Sequence, residues 1–394
     1  MDANRRRFFQ SLRQDDRRRK VPANMNSADR MLIQVVPRLL PARCGVSDHA
    51  ILLATELKSR FGIDTAFVVL NSEERCSLPF RVVHCAPEQL AETCRSLNGK
   101  RPGAILIHLS GYGYAADGAP LRLASALERL RADGGFRIGV FFHELSASGM
   151  PWTSAFWHAR RQKRALRRIA ATCELAVTNI RVHVDWLERE TVRASASPVV
   201  YLPVFSLVGE AQQPVPLAQR DPVMVVFGLG VTRQKAFKEL LALGSTLEQI
   251  GVRQILDIGP EFEAPGEVAG IPVRRMGVLP AEEIAGHFER STFGFLSYTP
   301  YCLAKSGVFA GYCAHGLVPV NAQHFQGEID GLKEGENLFS PQAIGAMEPA
   351  GLERCSVAAW RWYSGHALSN HAAAYARWID AMESAPQSAD RNYE

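Results

Sequence analysis

Three loops in the first half of the chain put chemistry-bearing residues where a short apolar run ends. In FFHELSASGMPW (141–152), His143 closes a hydrophobic run and Glu144 follows it. An imidazole there can donate to a hydroxyl or carry a proton near neutral pH, and Glu144 adds a carboxylate beside it. The competing reading of His143 is a satisfied structural histidine. HLSGYGYAADGAP (108–120) sets Tyr112 and Tyr114 among glycines. Aromatic faces beside mobile backbone suit stacking on a ligand ring, unless the tyrosines simply pack. In PARCGVSDHA (41–50), Gly45 lets backbone approach a ligand, and the helix start after it offers N–H groups to an anion. Gly45 reads equally well as a turn residue ahead of Ser47 or Asp48 as helix cap.

The second half repeats the arrangement. In GLGVTRQKAFKELL (228–241), Arg233 and Lys235 are expected where a loop becomes a helix, so that a diphosphate would meet two cations and a helix N-terminus together. YTPYCLAKSGVFAGYCAHG (298–316) follows a strand tip with Lys305, Ser306 and Gly307, whose amides could cradle a phosphate ahead of a helix of small residues. A solvated pair of charges is the alternative for the first segment, and close helix–sheet packing for the second. HARRQKRALRRIAA (158–171) carries six basic residues in nine positions of an expected helix. That face either is solvated or rests on an anionic membrane surface.

The elements that must position these groups are legible from periodicity. MLIQVVP (31–37), TAFVVL (65–70), GAILIHL (103–109), RIGVFFHE (137–144) and LAVT (175–178) read as strands. Between them lie helices over 49–62, 121–133 and 154–171. The stretch 197–222 holds five prolines and little periodicity, which marks it as the connection between domains. Alternation then resumes with strands at 223–230, 254–259, 271–277, 293–298 and 317–320. Helices are expected over 235–250, 281–290 and about 305–315, and a helical region over 356–383. Near-continuous apolar strands alternating with helices predict α/β domains with parallel sheets covered on both faces. In such sheets ligands bind at the carboxyl ends of strands.

Composition narrows the function. The chain has 394 residues, 47% apolar and 22% charged, as in a soluble globular protein. Its net charge of +5 resides in residues 1–30, which hold nine Lys/Arg against four Asp/Glu; the rest is neutral. A neutral body argues against a nucleic-acid binder. The tail reads as a disordered, solvated extension. It has no apolar segment of the secretory type and no run is long enough to span a bilayer, so a cytoplasmic location is expected. The eight cysteines are scattered without CxxC spacing, so reduced thiols and no metal site are expected.

Together the segments resemble the family-four glycosyltransferases, a group that includes many bacterial sugar transferases, over about 31–383. The similarity is clearest in FHELSASGMPWTSAFW, in GVLPAEEIAGHF followed by a strand, and in SGVFAGYCAHGLVPV. The resemblance implies the GT-B architecture, two facing Rossmann-like doubly wound domains with a C-terminal crossover helix. The implied boundaries are a tail over 1–30, an acceptor-side domain over 31–208, a linker over 209–222, a nucleotide-sugar domain over 223–365 and a terminal helix over 366–394 that returns to the first domain. It implies metal-independent transfer of a sugar from a nucleotide-sugar donor in the interdomain cleft, with no further cofactor. The acceptor would be a glycan, a lipid-linked molecule or a small molecule, as in polysaccharide or glycolipid biosynthesis at the inner face of the membrane. His143 falls on the family's histidine near the donor sugar and is the expected catalytic group. Gly45, Arg233, Lys235, Lys305, Ser306 and Gly307 are the expected donor-binding residues, with Tyr112, Tyr114 and Glu144 toward acceptor or sugar.

The sequence departs from this family at two positions. Where the family carries two glutamates eight apart, this chain has Leu303 and Gly311. Two further readings therefore stand beside the transferase. One is a catalytically silent GT-B protein that binds a nucleotide sugar or supports a partner enzyme. The other is an epimerase or trehalose-type synthase on the same fold.

Overall fold

A computed structural model describes residues 30–39, 45–72, 77–99, 103–146, 154–195, 197–260 and 262–383. The expectations for the basic tail, for 40–44 of the first loop and for 147–153 after Glu144 lie outside these residues. The chain divides into two compact units. The N-terminal unit comprises the described residues up to Thr178, then Val182–Tyr201 and the chain from Leu368 onward. The C-terminal unit comprises Asn179–Arg181 and Leu202–Ala367.

The N-terminal unit is built on β1 (Met31–Val36), β2 (Asp64–Val69), β3 (Arg81–His84), β4 (Gly103–Leu109), β5 (Phe136–Phe142), β6 (Leu175–Thr178) and β7 (Val200–Tyr201). All pair in parallel, in the order β3-β2-β1-β4-β5-β6-β7. This is a doubly wound sheet, with sequence running outward from β1 and β4 in both directions. Alternation divides each central strand between two faces. Ile33 and Val35, Ile105 and Ile107, and Val140 and Phe142 join one hydrophobic core. Gln34, His108 and Phe141 take the intervening positions. Over β5, Gly139 leaves room for the terminal helix Leu368–Glu383: a Cβ there would stand 3.0 Å from the Trp378 ring. That helix also packs along the helix Gly45–Phe61.

The C-terminal unit holds β8 (Asp221–Phe227), β9 (Gln254–Ile258), β10 (Glu267–Val268), β11 (Ile271–Gly277), β12 (Ser291–Leu296) and β13 (Val318–Asn321). Their order is β10-β11-β9-β8-β12-β13, parallel except for the short β10–β11 pair. Tyr312 bolts the helix Gly307–Ala314 to this sheet. Its hydroxyl accepts from the Phe227 amide at 3.0 Å and lies 3.1 Å from the Val225 carbonyl. Its ring sits directly on Gly294 of β12, where an added Cβ would lie 2.5 Å from the ring. Gly294→Ala should therefore overpack the sheet and cost about 1–3 kcal/mol in chemical denaturation. An unchanged unfolding midpoint would contradict this packing.

Several elements differ from the sequence expectation. β3, the helix Leu90–Asn98 and the helix Arg181–Glu190 were not anticipated. The expected helix over 235–250 is two helices, Gly230–Leu240 and Gly244–Gln249. Gly228 makes the turn out of β8 at φ 130°, so the first of these starts earlier than its apolar period suggests. The described cysteines Cys85, Cys94, Cys173, Cys302, Cys313 and Cys355 are free thiols.

Candidate functional site

Each unit presents its candidate groups at the carboxyl ends of its central strands. In the N-terminal unit, β4 runs into Ser110 and a single helical turn, Gly111–Tyr114. Ser110 Oγ donates to Glu144 Oε2 at 3.1 Å, so the ends of β4 and β5 are tied across the loop. Glu144 itself is exposed. Tyr112 is 50% exposed, and its hydroxyl accepts from Gln162 Nε2 at 3.2 Å. Tyr114 is different: its hydroxyl lies 3.1 Å from the Val35 carbonyl and 3.2 Å from that of His108. It closes the loop down on β1 and β4 rather than presenting a face to a ligand. Gly45 begins its helix in open surroundings, and Ser47 Oγ donates back to the Arg38 carbonyl at 2.7 Å.

His143 was expected at an open strand tip. The structure seats it inward, 8% exposed, among other imidazoles. The reason is the strand parity: 139, 141 and 143 share one face of β5 and its extension, and so does His108, which is in register with Phe141. His108 Nδ1 and His143 Nε2 are 3.2 Å apart. On its other side, His108 Nε2 lies 2.6 Å from Oε1 of Gln34, a fully buried residue of β1. His49, from the helix Gly45–Phe61, closes the group with ring centroids 5.6 Å from His108 and 5.2 Å from His143. His371 of the terminal helix borders it, 5.5 Å from His49. Burial pushes His108 down to about 3 and holds His49 and His143 well below the usual imidazole range, with the neighbouring imidazoles adding to the effect. At neutral pH all three rings are uncharged. Sequence reading found only His143. Its partners were visible as Gln34 and His108, lone polar residues inside apolar strands, but cross-strand register is what joins them.

In the C-terminal unit three strand-end loops converge. Gly228 after β8 approaches Val308 of the helix Gly307–Ala314, where a Cβ at Gly228 would sit 3.2 Å from Val308 Cγ2. A Cβ at Gly259, after β9, would run into the Gly228 carbonyl. Ser306 caps the helix, its Oγ accepting from the Phe309 amide at 3.2 Å. That leaves the Gly307 and Val308 amides as the remaining first-turn donors. Lys305 is half-buried beside the cap, at the end of the turn Pro300–Lys305.

Arg233 is not where sequence reasoning put it. Because the helix starts at Gly230, Arg233 lies inside the first turn and is 1% exposed. Its Nη1 donates to Asp257 Oδ1 at 2.5 Å, and Nη2 donates to the Pro260 carbonyl. It thus braces the β8 and β9 loops from beneath instead of facing a phosphate. Burial raises the Asp257 carboxyl above its ordinary range despite the opposing pull of Arg233. Lys235, two residues further along the helix, is exposed. Leu303 and Gly311 both face the interior. Leu303 is 1% exposed, and a Cβ at Gly311 would meet Phe288 at 3.1 Å and Val208 at 3.4 Å. A glutamate at Gly311 has no room without displacing the core.

On the basic helix Ser154–Thr172, half of the charge is compensated. Arg161 pairs with Asp117, Arg167 with Glu190 and Arg168 with Glu128. Among the described residues no helix is long and apolar enough to cross a membrane.

No protein-family model matches the sequence, and neither does any curated protein. Solved structures do match over nearly the whole chain. An alpha-glucosyltransferase in complex with UDP superposes with a TM-score of 0.54 at 12% identity, covering 90% of this chain and 99% of that one. A structure described as trehalose-6-phosphate from E. coli bound with UDP-2-fluoro glucose gives 0.55 at 12%, covering 89% and 98%. A putative UDP-N-acetylglucosamine 2-epimerase from Listeria monocytogenes gives 0.56 at 10%, covering 92% and 98%. These are GT-B proteins, and the fold of this chain is GT-B, with two Rossmann-like domains.

Proposed function

We propose that this protein is a glycosyltransferase that uses a nucleotide-activated sugar, with the nucleotide diphosphate held by the C-terminal unit. The observation that carries the reading is the convergence of the β8, β9 and β12 loops on the N-terminus of the helix Gly307–Ala314. First-turn amides and the Lys305 ammonium supply positive potential there without a metal ion at the phosphates, and Lys235, exposed on the helix Gly230–Leu240, is the second cation this reading assigns to the donor. The presence of UDP or a UDP sugar in GT-B structures of the same fold agrees with this chemistry. The closer relation to family-four transferases rests on the motifs at 142–157, 277–288 and 306–320.

The acceptor belongs to the N-terminal unit, where Tyr112 and Glu144 are the accessible groups after β4 and β5. A glycan, a lipid-linked molecule or a small molecule offers the hydroxyl such groups can orient. One alpha-glucosyltransferase structure of this fold holds UDP-glucose and DNA containing an abasic site. Outside residues 1–30 the chain carries no net charge, which weighs against a nucleic-acid acceptor. The basic helix Ser154–Thr172 retains Arg160, Lys163 and Arg164 for an anionic surface that would carry a lipid-linked acceptor.

Calorimetric titration of the full chain with UDP and with Lys235→Ala tests the donor half of the proposal. Loss of one charge-assisted phosphate contact should cost about 1.5–3 kcal/mol, tenfold or more in Kd, with the melting temperature little changed. Equal affinity in the variant would remove Lys235 from the site.

A further inference from the structure

The buried histidine cluster lies in the N-terminal unit, not among the C-terminal groups assigned above to the nucleotide diphosphate. We propose that His49, His108 and His143 form a binding site for one divalent transition ion of the zinc class. One ligand nitrogen from each ring can be chosen so that all lie within 4.8 Å of one another. The closest pair is already at ligand spacing. Two nitrogens bound at 2.0–2.1 Å to a tetrahedral zinc are about 3.3 Å apart, and their ring centroids about 5.2 Å. His108 Nδ1 and His143 Nε2 stand at 3.2 Å. The ring centroids are 5.2 Å apart for His49–His143, 5.5 Å for His108–His143 and 5.6 Å for His49–His108. Three imidazoles leave one tetrahedral position for water.

Gln34 supplies the second argument. Metal-bound histidines donate their other N–H to an acceptor that fixes tautomer and orientation. Gln34 Oε1, 2.6 Å from His108 Nε2, accepts that proton and leaves the Nδ1 lone pair directed at His143. Gln34 is 0% exposed in the middle of β1, an expensive place for a primary amide without such a task. The three rings come from a helix, a central strand and a strand extension, all held by the packed sheet, so the arrangement is preorganised. The expectation of a chain without metal drew on cysteine spacing, which is blind to histidines gathered from three segments.

The test is Co2+ as a spectroscopic stand-in for Zn2+, added to the chelator-stripped full chain both by long dialysis and during refolding. The expected result is one Co2+ per chain with the strong visible bands of a four-coordinate ion, discharged by one equivalent of Zn2+. His108→Gln and His143→Gln should abolish the bands. Gln34→Leu keeps all three ligands and should weaken the affinity about 10–100-fold, so the proposal stays decidable even where a histidine variant does not fold. Absence of stoichiometric Co2+ by both routes, a weak six-coordinate spectrum, or unchanged affinity in Gln34→Leu would overturn it.

Discussion

Taking the metal-free protein from pH 7 to pH 5 should remove about 2 kcal/mol from the stability of the N-terminal unit through His108 alone, with His49 and His143 acting in the same direction. The argument is linkage. His49, His108 and His143 have folded pKa values far below the ordinary 6.5 because burial disfavours the cation. Above about pH 7.5 neither state is appreciably protonated and the unit has its full stability. Below it the unfolded chain binds protons that the folded cluster refuses, so stability falls with pH until the folded values are reached, about 3 for His108. His108 contributes about 2 kcal/mol over this interval, against a typical total of 5–15 kcal/mol. Hydrogen exchange of amides in β4 and β5, in chelator at several pH values, reads the unit directly. A slope of about one proton or more is expected near pH 5, and one well below a single proton would mean that His108 is accessible and charged in the folded state.

Removing the buried cation of the other unit should also have a large effect. Arg233→Met leaves Asp257, 3% exposed, without its paired guanidinium and with only the coulombic pull of Arg275. Breaking a buried pair from one side costs about 3–5 kcal/mol, whereas replacing both partners by apolar groups is often neutral. Arg233→Met should therefore destabilise strongly in urea, and Arg233→Met combined with Asp257→Leu should recover most of the loss. The sign with pH is opposite to that of the histidines. The Asp257 carboxyl is already raised by burial and rises further without Arg233, so the variant's deficit relative to wild type should shrink as pH falls and the group takes a proton. A double variant no better than the single one would show that the guanidinium acts by bracing the Pro260 carbonyl instead of neutralising Asp257.

These two sites show where sequence reading succeeds and where it stops. Strands such as GAILIHL and LAVT and the helix Ala281–Arg290 were legible because local periodicity alone determines them. The short β3, with half-buried Val82 and Val83, carries too few apolar residues to announce itself. Arg233 was misplaced because helix onset depended on one glycine with positive φ, and a shift of a few residues turns a loop cation into a buried brace. His143 was identified, but its environment depends on pairing between β4 and β5 and on a terminal helix more than two hundred residues away. No local pattern encodes those partners. The packing at Leu303 and Gly311 had a sequence signal in the missing glutamates, whereas the tight contact with Phe288 required coordinates.

The most direct test of the proposed function is transfer itself. The full chain would be incubated with nucleotide sugars labelled in the sugar, together with glycan, lipid-extract and small-molecule acceptor fractions. The account predicts that label leaves the nucleotide in an enzyme-dependent way, appears in an acceptor, and does so at least tenfold more slowly with Lys235→Ala at subsaturating donor. Recovery of every donor intact with every acceptor fraction, alongside tight nucleotide binding, would contradict it and make the chain a nucleotide-sugar binder.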